Sequence, residues 1–123
     1  MPRKPILLVE DDPALRESVA GLLLERGYSV DREPTGAAAL ARLREGARPS
    51  LILLDLMMPE MTGWDFLSEM RKDGRLDGIP VVVLSGHLLG PARDRALPAH
   101  GFVRKPVEPA KLLSEVERAC SDA

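Results

Sequence analysis

Three short, unbroken apolar runs set the frame of this chain: Ile6-Leu7-Leu8-Val9, Leu51-Ile52-Leu53-Leu54 and Val81-Val82-Val83-Leu84. A strand with one wet face alternates apolar and polar residues, whereas an unbroken run of four marks a strand covered on both faces. Strands of that kind belong to parallel sheets with helices above and below. Between the runs the apolar period changes to that of a helix, so the chain reads as alternating strand and helix.

Residues 13–26 carry Leu15, Val19, Leu22 and Leu23 at helical spacing, with Asp12 as N-cap, Pro13 in the first turn and Gly27 as the stop. Residues 28–32 predict a weak strand at a sheet edge, because only Tyr28 and Val30 are apolar. Thr35 caps a helix running to about residue 45, and Gly46 and Pro49 punctuate the turn after it. A loop over residues 55–62 leads into a helix over 63–72, with Phe66, Leu67 and Met70 on one face. Residues 102–104 form a short last strand. Residues 108–120 close the chain as a helix with Leu112, Leu113, Val116 and Cys120 as its stripe. Between Ser85 and Phe102, Gly90, Pro91 and Pro98 confine the expected fourth helix to about residues 92–97. Proline inside a helix costs about 3 kcal/mol, so this helix is expected to be short or distorted. Five alternations predict an α/β fold, doubly wound around a parallel five-stranded sheet with right-handed crossovers.

Length and composition narrow the function. A chain of 123 residues, 45% apolar, suits one domain. Seventeen Lys and Arg against nineteen Asp and Glu leave no global positive field for nucleic acid or an anionic membrane. The apolar runs are too short to cross a bilayer or to act as a signal peptide, which predicts a cytoplasmic protein. The single Cys120 excludes an internal disulfide framework and a cysteine-based zinc site.

In doubly wound folds the site lies beyond the C-terminal ends of the strands. Here those ends carry Glu10-Asp11-Asp12 after the first strand, Asp55 after the third, Ser85 after the fourth and Lys105-Pro106 after the fifth. Carboxylates gathered on one rim resist joint ionisation, and a hard divalent cation such as Mg²⁺ removes that penalty. With a lysine and a hydroxyl beside them, they make a site for a phosphoryl group held on a carboxylate.

The motifs Leu8-Val9-Glu10-Asp11-Asp12, Leu54-Asp55-Leu56-Met57-Met58-Pro59 with Gly63, Leu84-Ser85-Gly86 and Phe102-Val103-Arg104-Lys105-Pro106 resemble the receiver domain of two-component response regulators. The resemblance runs from Ile6 to the final helix. It implies a flavodoxin-like (βα)5 fold with strand order 2-1-3-4-5, and a single receiver domain over residues 1–123 with no output domain. By the same resemblance, Asp55 accepts a phosphoryl group from a phosphohistidine on a sensor histidine kinase or a histidine phosphotransfer protein. Asp11 and Asp55 ligate Mg²⁺, Glu10 acts mostly through water, and Met57 contributes its backbone carbonyl. Ser85 and Lys105 contact the phosphoryl oxygens, Gly86 keeps the approach open, and the Lys105–Pro106 bond is cis. The domain is then no enzyme in its own right, though it assists its own phosphorylation and dephosphorylation. The resemblance further implies a bacterial protein, and the family's usual partner surface is the fourth helix, fifth strand and fifth helix.

Several positions carry two readings. Phe102 is either the switch aromatic that moves with Ser85 or ordinary core. Met57 and His87 either modulate phosphate lifetime or pack at the rim. Asp12 reads as a helix cap, His100 as a loop residue, Cys120 as a small apolar residue of the last helix, and Trp64 as helix-surface packing. An FMN-binding flavodoxin-like protein would need a Ser, Thr and Gly-rich loop where Glu10-Asp11-Asp12 stands. An aspartate-based phosphatase would need a second Asp where Met57 stands. Within the receiver reading, the Met1 start favours a stand-alone regulator acting on an unknown downstream protein. The alternative is a receiver excised from a longer transcription factor or hybrid kinase. No helix-turn-helix is present to read nucleic acid directly.

Overall fold

The computed structural model describes residues 4–86 and 99–121. Five strands, β1 (Ile6–Val9), β2 (Val30–Glu33), β3 (Leu51–Asp55), β4 (Val81–Ser85) and β5 (Gly101–Arg104), form one parallel sheet in the order β2-β1-β3-β4-β5. The four α-helices among the described residues are α1 (Pro13–Glu25), α2 (Gly36–Arg44), α3 (Gly63–Arg71) and α4 (Pro109–Ser121). A 3₁₀ turn at Gly74–Leu76, which no periodicity announces, precedes β4. The helix expected over residues 92–97, with Gly90, Pro91, Pro98 and His87, lies outside the described residues.

The unbroken apolar runs are explained by the two faces they serve. Leu7, Val9, Ile52, Leu54, Val81 and Val83 point to one side and pack against Leu40 and Leu43 of α2 and Phe66, Leu67 and Met70 of α3. Ile6, Leu8, Leu51, Leu53, Val82 and Leu84 point to the other and pack against Val19 and Leu23 of α1 and Leu112, Leu113 and Val116 of α4. Successive strand residues alternate faces, so a sheet covered twice needs an apolar residue at every position. In α4, Ala119 is buried, and Cys120 is half-buried against the same core.

The edge strand begins two residues later than its sequence suggests. Tyr28 is buried in the α1/α4 core before the strand starts, and pairing to β1 begins at Ile6 opposite Val30. The charged end of β2 is held from both helix layers. Arg42 of α2 pairs with Asp31 and Glu33, while Arg32 faces Glu17 of α1 at 3.1 Å as an ion pair rather than a hydrogen bond.

Helix starts follow local chemistry. Asp12 accepts the Ala14 N–H at 3.0 Å with Pro13 at the first helical position, and Thr35 accepts the Ala38 N–H at 3.1 Å. Thr62 and Asp65 form a reciprocal capping box at the start of α3. These caps fix the helices next to the loops that follow β1 and β3, where the polar residues gather.

Candidate functional site

Parallel pairing in register brings the strand ends level. Val9 lies opposite Leu54, Asp55 opposite Leu84, and Ser85 opposite Arg104. The next residues, Glu10 after β1 and Lys105 after β5, therefore reach the same rim as Asp55 and Ser85. Glu10, Asp55 and Ser85 are the buried polar side chains among the described residues, each at most 1% exposed.

Lys105 holds the cluster together. Its Nζ lies 3.1 Å from Asp55 Oδ1 and 3.3 Å from each carboxylate oxygen of Glu10. The backbone N–H of Met57 donates to Asp55 Oδ1 at 3.2 Å, and that of Asp12 to Glu10 Oε1 at 3.4 Å. Carboxylate oxygens of Glu10, Asp11 and Asp55 all lie within 4.8 Å of one another. One ammonium thus pairs with two buried carboxylates, with a third acidic side chain, Asp11, beside them.

The electrostatics show the penalty of that arrangement. Burial, followed by the Asp55 charge, pushes the Glu10 carboxyl up to about 7, against the opposing pull of Lys105. Burial also raises Asp55, with Lys105 and the Met57 N–H pulling the other way. Burial opposes the charge on Lys105, but the Asp55 and Glu10 carboxylates outweigh it and hold the ammonium above its ordinary range. A dense group of oxygen donors with excess negative charge suits a hard divalent cation, and the residues present fit Mg²⁺ by donor type and spacing.

The other expected residues are placed as follows. The Ser85 side chain is buried on the rim, and its carbonyl accepts the Lys105 N–H at 2.9 Å, tying β4 to the residue that spans the carboxylates. The Lys105–Pro106 peptide is cis. Among the described residues Met57 is the most exposed large apolar side chain at the rim, at 54%, while its neighbour Met58 is buried. Phe102 is half-buried against the α2/α3 core, on the opposite face of β5 from Val103. Gly86 is exposed, and among the described residues a Cβ there would meet only the Lys105 Cβ, at 3.9 Å. Gly63 is different: a Cβ would stand 2.7 Å from the Leu56 Cα and 2.8 Å from the Asp55 carbonyl oxygen. His87 lies outside the described residues.

Two residues that periodicity does not single out bear on the site or its frame. Arg16, one turn into α1, donates from Nη1 to the Glu10 carbonyl at 2.9 Å and to the Asp11 carbonyl at 3.5 Å, pinning the acidic turn. His100, expected as a plain loop residue, pairs with Val81. Its Nδ1 accepts the Val81 N–H at 3.1 Å, and its own N–H donates to the Val81 carbonyl at 2.7 Å. An arginine following an acidic turn was the available signal for the first; nothing local marks the second.

Comparison with known proteins agrees with this geometry. The profile described as response regulator receiver domain matches residues 6–117. The two-component response regulator ORR5 of Oryza sativa is 35% identical over 118 residues, which is 94% of this chain and 85% of the relative. The response regulator Rre1 of Synechocystis is 34% identical over 96% of this chain, which spans 54% of the relative. Among solved structures, the chemotaxis protein CheY4 of Vibrio cholerae superposes with a TM-score of 0.85 at 30% identity, covering 95% of this chain and 98% of that one. The receiver domain of a signal transduction histidine kinase from Syntrophus aciditrophicus gives 0.86 at 33% identity over 98% and 92%. The five parallel strands, their order and the profile spanning the whole sheet lead to one conclusion: the chain belongs to the response regulator receiver domain family.

Proposed function

We propose that Asp55 is the phosphoacceptor of this receiver domain. The observation that carries the reading is the buried Asp55 carboxylate at 3.1 Å from Lys105 and within 4.8 Å of Glu10 and Asp11. In the proposed step an Asp55 carboxylate oxygen forms a bond to phosphorus as the phosphorus–nitrogen bond of a phosphohistidine breaks. The imidazole leaves with the bonding pair and takes up a proton. Negative charge on the transferred group is met by the Lys105 ammonium and the Ser85 hydroxyl, both fixed by the pairing of β4 with β5.

Glu10, Asp11, Asp55 and the Met57 carbonyl are the groups that would hold Mg²⁺. When bound, the ion neutralises the clustered carboxylates and the phosphoryl oxygens. Arg16 keeps the carbonyls of the acidic turn in place, and the Met57 N–H orients Asp55. The domain supplies positioning and charge to its own phosphorylation and dephosphorylation. Met57, exposed beside Asp55, stands where a side chain can hinder water and lengthen the phosphate's life, and His87 is assigned the same role from sequence. Phe102 is the aromatic that changes position with Ser85. The donor is a sensor histidine kinase or histidine phosphotransfer protein in the cytoplasm, and the face built on β5 and α4 passes the state to a downstream protein.

The test is intact-mass measurement after incubation with a small phosphodonor and Mg²⁺. The wild type should gain one phosphate, and Asp55→Asn none. Equal labelling of both proteins, or labelling undiminished by EDTA, would overturn the assignment.

A further inference from the structure

The opposite end of the sheet, where the strands begin, holds a cleft of about 930 Å³ that the phosphoacceptor chemistry does not use. Ligand pockets typically measure about 300–1,000 Å³, so this cleft has room for a small organic molecule. Lys4, Arg26, Arg48 and Arg75 reach it from four separate segments of the chain.

Two of these cations already have carboxylate partners. Arg26 lies 3.6 Å from Glu117, and Arg75 grips Asp73 at 2.7 and 3.0 Å. Arg48 and Lys4 are in no ion pair within 4.0 Å among the described residues. Arg48 is nonetheless held in place, since its Nη1 donates to the Leu43 carbonyl at 2.9 Å and the Ala47 carbonyl at 2.7 Å. The backbone beside Lys4 is also fixed: Ser50 Oγ donates to the Lys4 carbonyl at 3.0 Å, and Ser50 N–H to the Pro5 carbonyl at 2.9 Å. Among the described residues, four cations face two carboxylates here, Glu117 and Asp73, on a chain whose overall charge is −2. The floor between them is apolar, made of Tyr28, Pro49, Ile79 and Pro80.

We propose that this cleft binds a phosphorylated small molecule, its phosphate or diphosphate drawn to Lys4 and Arg48 and its apolar body seated on Tyr28, Pro49, Ile79 and Pro80. A guanidinium held by carbonyls, with no carboxylate within 4.0 Å among the described residues, is oriented in advance for an anion, which lowers the ordering penalty of binding. Two cations without a carboxylate within ion-pair distance among the described residues suit a phosphate or diphosphate group better than a single carboxylate. The site is independent of Asp55, since it lies at the other end of the strands.

Nuclear magnetic resonance titration with ADP in EDTA and low salt tests the proposal, with adenosine and inorganic phosphate titrated separately. ADP should give saturable shifts at Ser50, Ile79 and Arg48 with a Kd below about 1 mM, while adenosine alone binds about tenfold more weakly. The double variant Lys4→Gln, Arg48→Gln should lose about tenfold in affinity, and Asp55→Asn should bind as the wild type does. Should the double variant fail to fold, Lys4→Gln alone, altered at an exposed side chain, should still weaken ADP. Shifts confined to the Glu10 and Asp55 rim would overturn the site, as would no saturation, equal binding of adenosine and ADP, or an acidic peptide binding where ADP does not.

Discussion

Glu10 bears a carboxylate where water does not reach it, beside a second buried carboxylate and a single shared lysine. Its carboxyl is raised to about 7 from an ordinary value of 4.5, so folding takes up a proton between those limits. The stability contributed by this group is full below 4.5 and is lost as pH rises through 7. Glu10→Gln should therefore gain on the wild type as pH increases, by about 1–2 kcal/mol at pH 8 and close to nothing at pH 4.5. Urea denaturation in EDTA at both pH values measures the difference, and an equal gap at the two would contradict the charge argument. Added Mg²⁺ should stabilise the wild type more than the variant. At this scale the sequence was informative wherever a polar residue ended an apolar run, which is how Glu10, Asp11, Asp55, Ser85 and Lys105 stood out. Arg16 and His100 did not, because each acts on main-chain groups whose positions exist only once the turns have formed.

The β3–α3 connection is the element with the least tolerance. Gly63 donates its N–H to the Leu56 carbonyl at 2.9 Å and brings α3 against the backbone of the segment that carries Asp55. A methyl at Gly63 meets main chain that cannot swing aside, so Gly63→Ala should destabilise by about 1–3 kcal/mol. Thr62→Ala removes one half of the capping box and should lose about 1 kcal/mol. Thermal melts would rank them, and a Gly63→Ala protein as stable as the wild type would refute the close-approach account. Strands buried on both faces were readable to within a residue because their pattern leaves no other solution. The edge strand was not, since Tyr28 supplies apolar character ahead of the pairing and Arg42 supports charged residues within it.

On the scale of the molecule, the sheet is covered most completely at its centre and least at β2, whose four residues are all half-buried. Amides of β3 should exchange only through global unfolding, and those of β2 through smaller openings, by about tenfold or more in protection factor. Native-state hydrogen exchange would show it, and uniform protection across the sheet would mean that the edge opens only with the whole. The doubly wound topology was legible from the alternation of periods, whereas the cleft at the start of the strands was not, because its basic residues come from segments with no common motif. Lys105 meets Glu10 across 95 positions of sequence, with Asp55 contributed from a third strand between them. No fragment that lacks β1, β3 or β5 contains the site, and no locally folded intermediate can assemble it. The rim therefore reports on assembly: only a chain whose β1, β3, β4 and β5 have found their register can receive anything there.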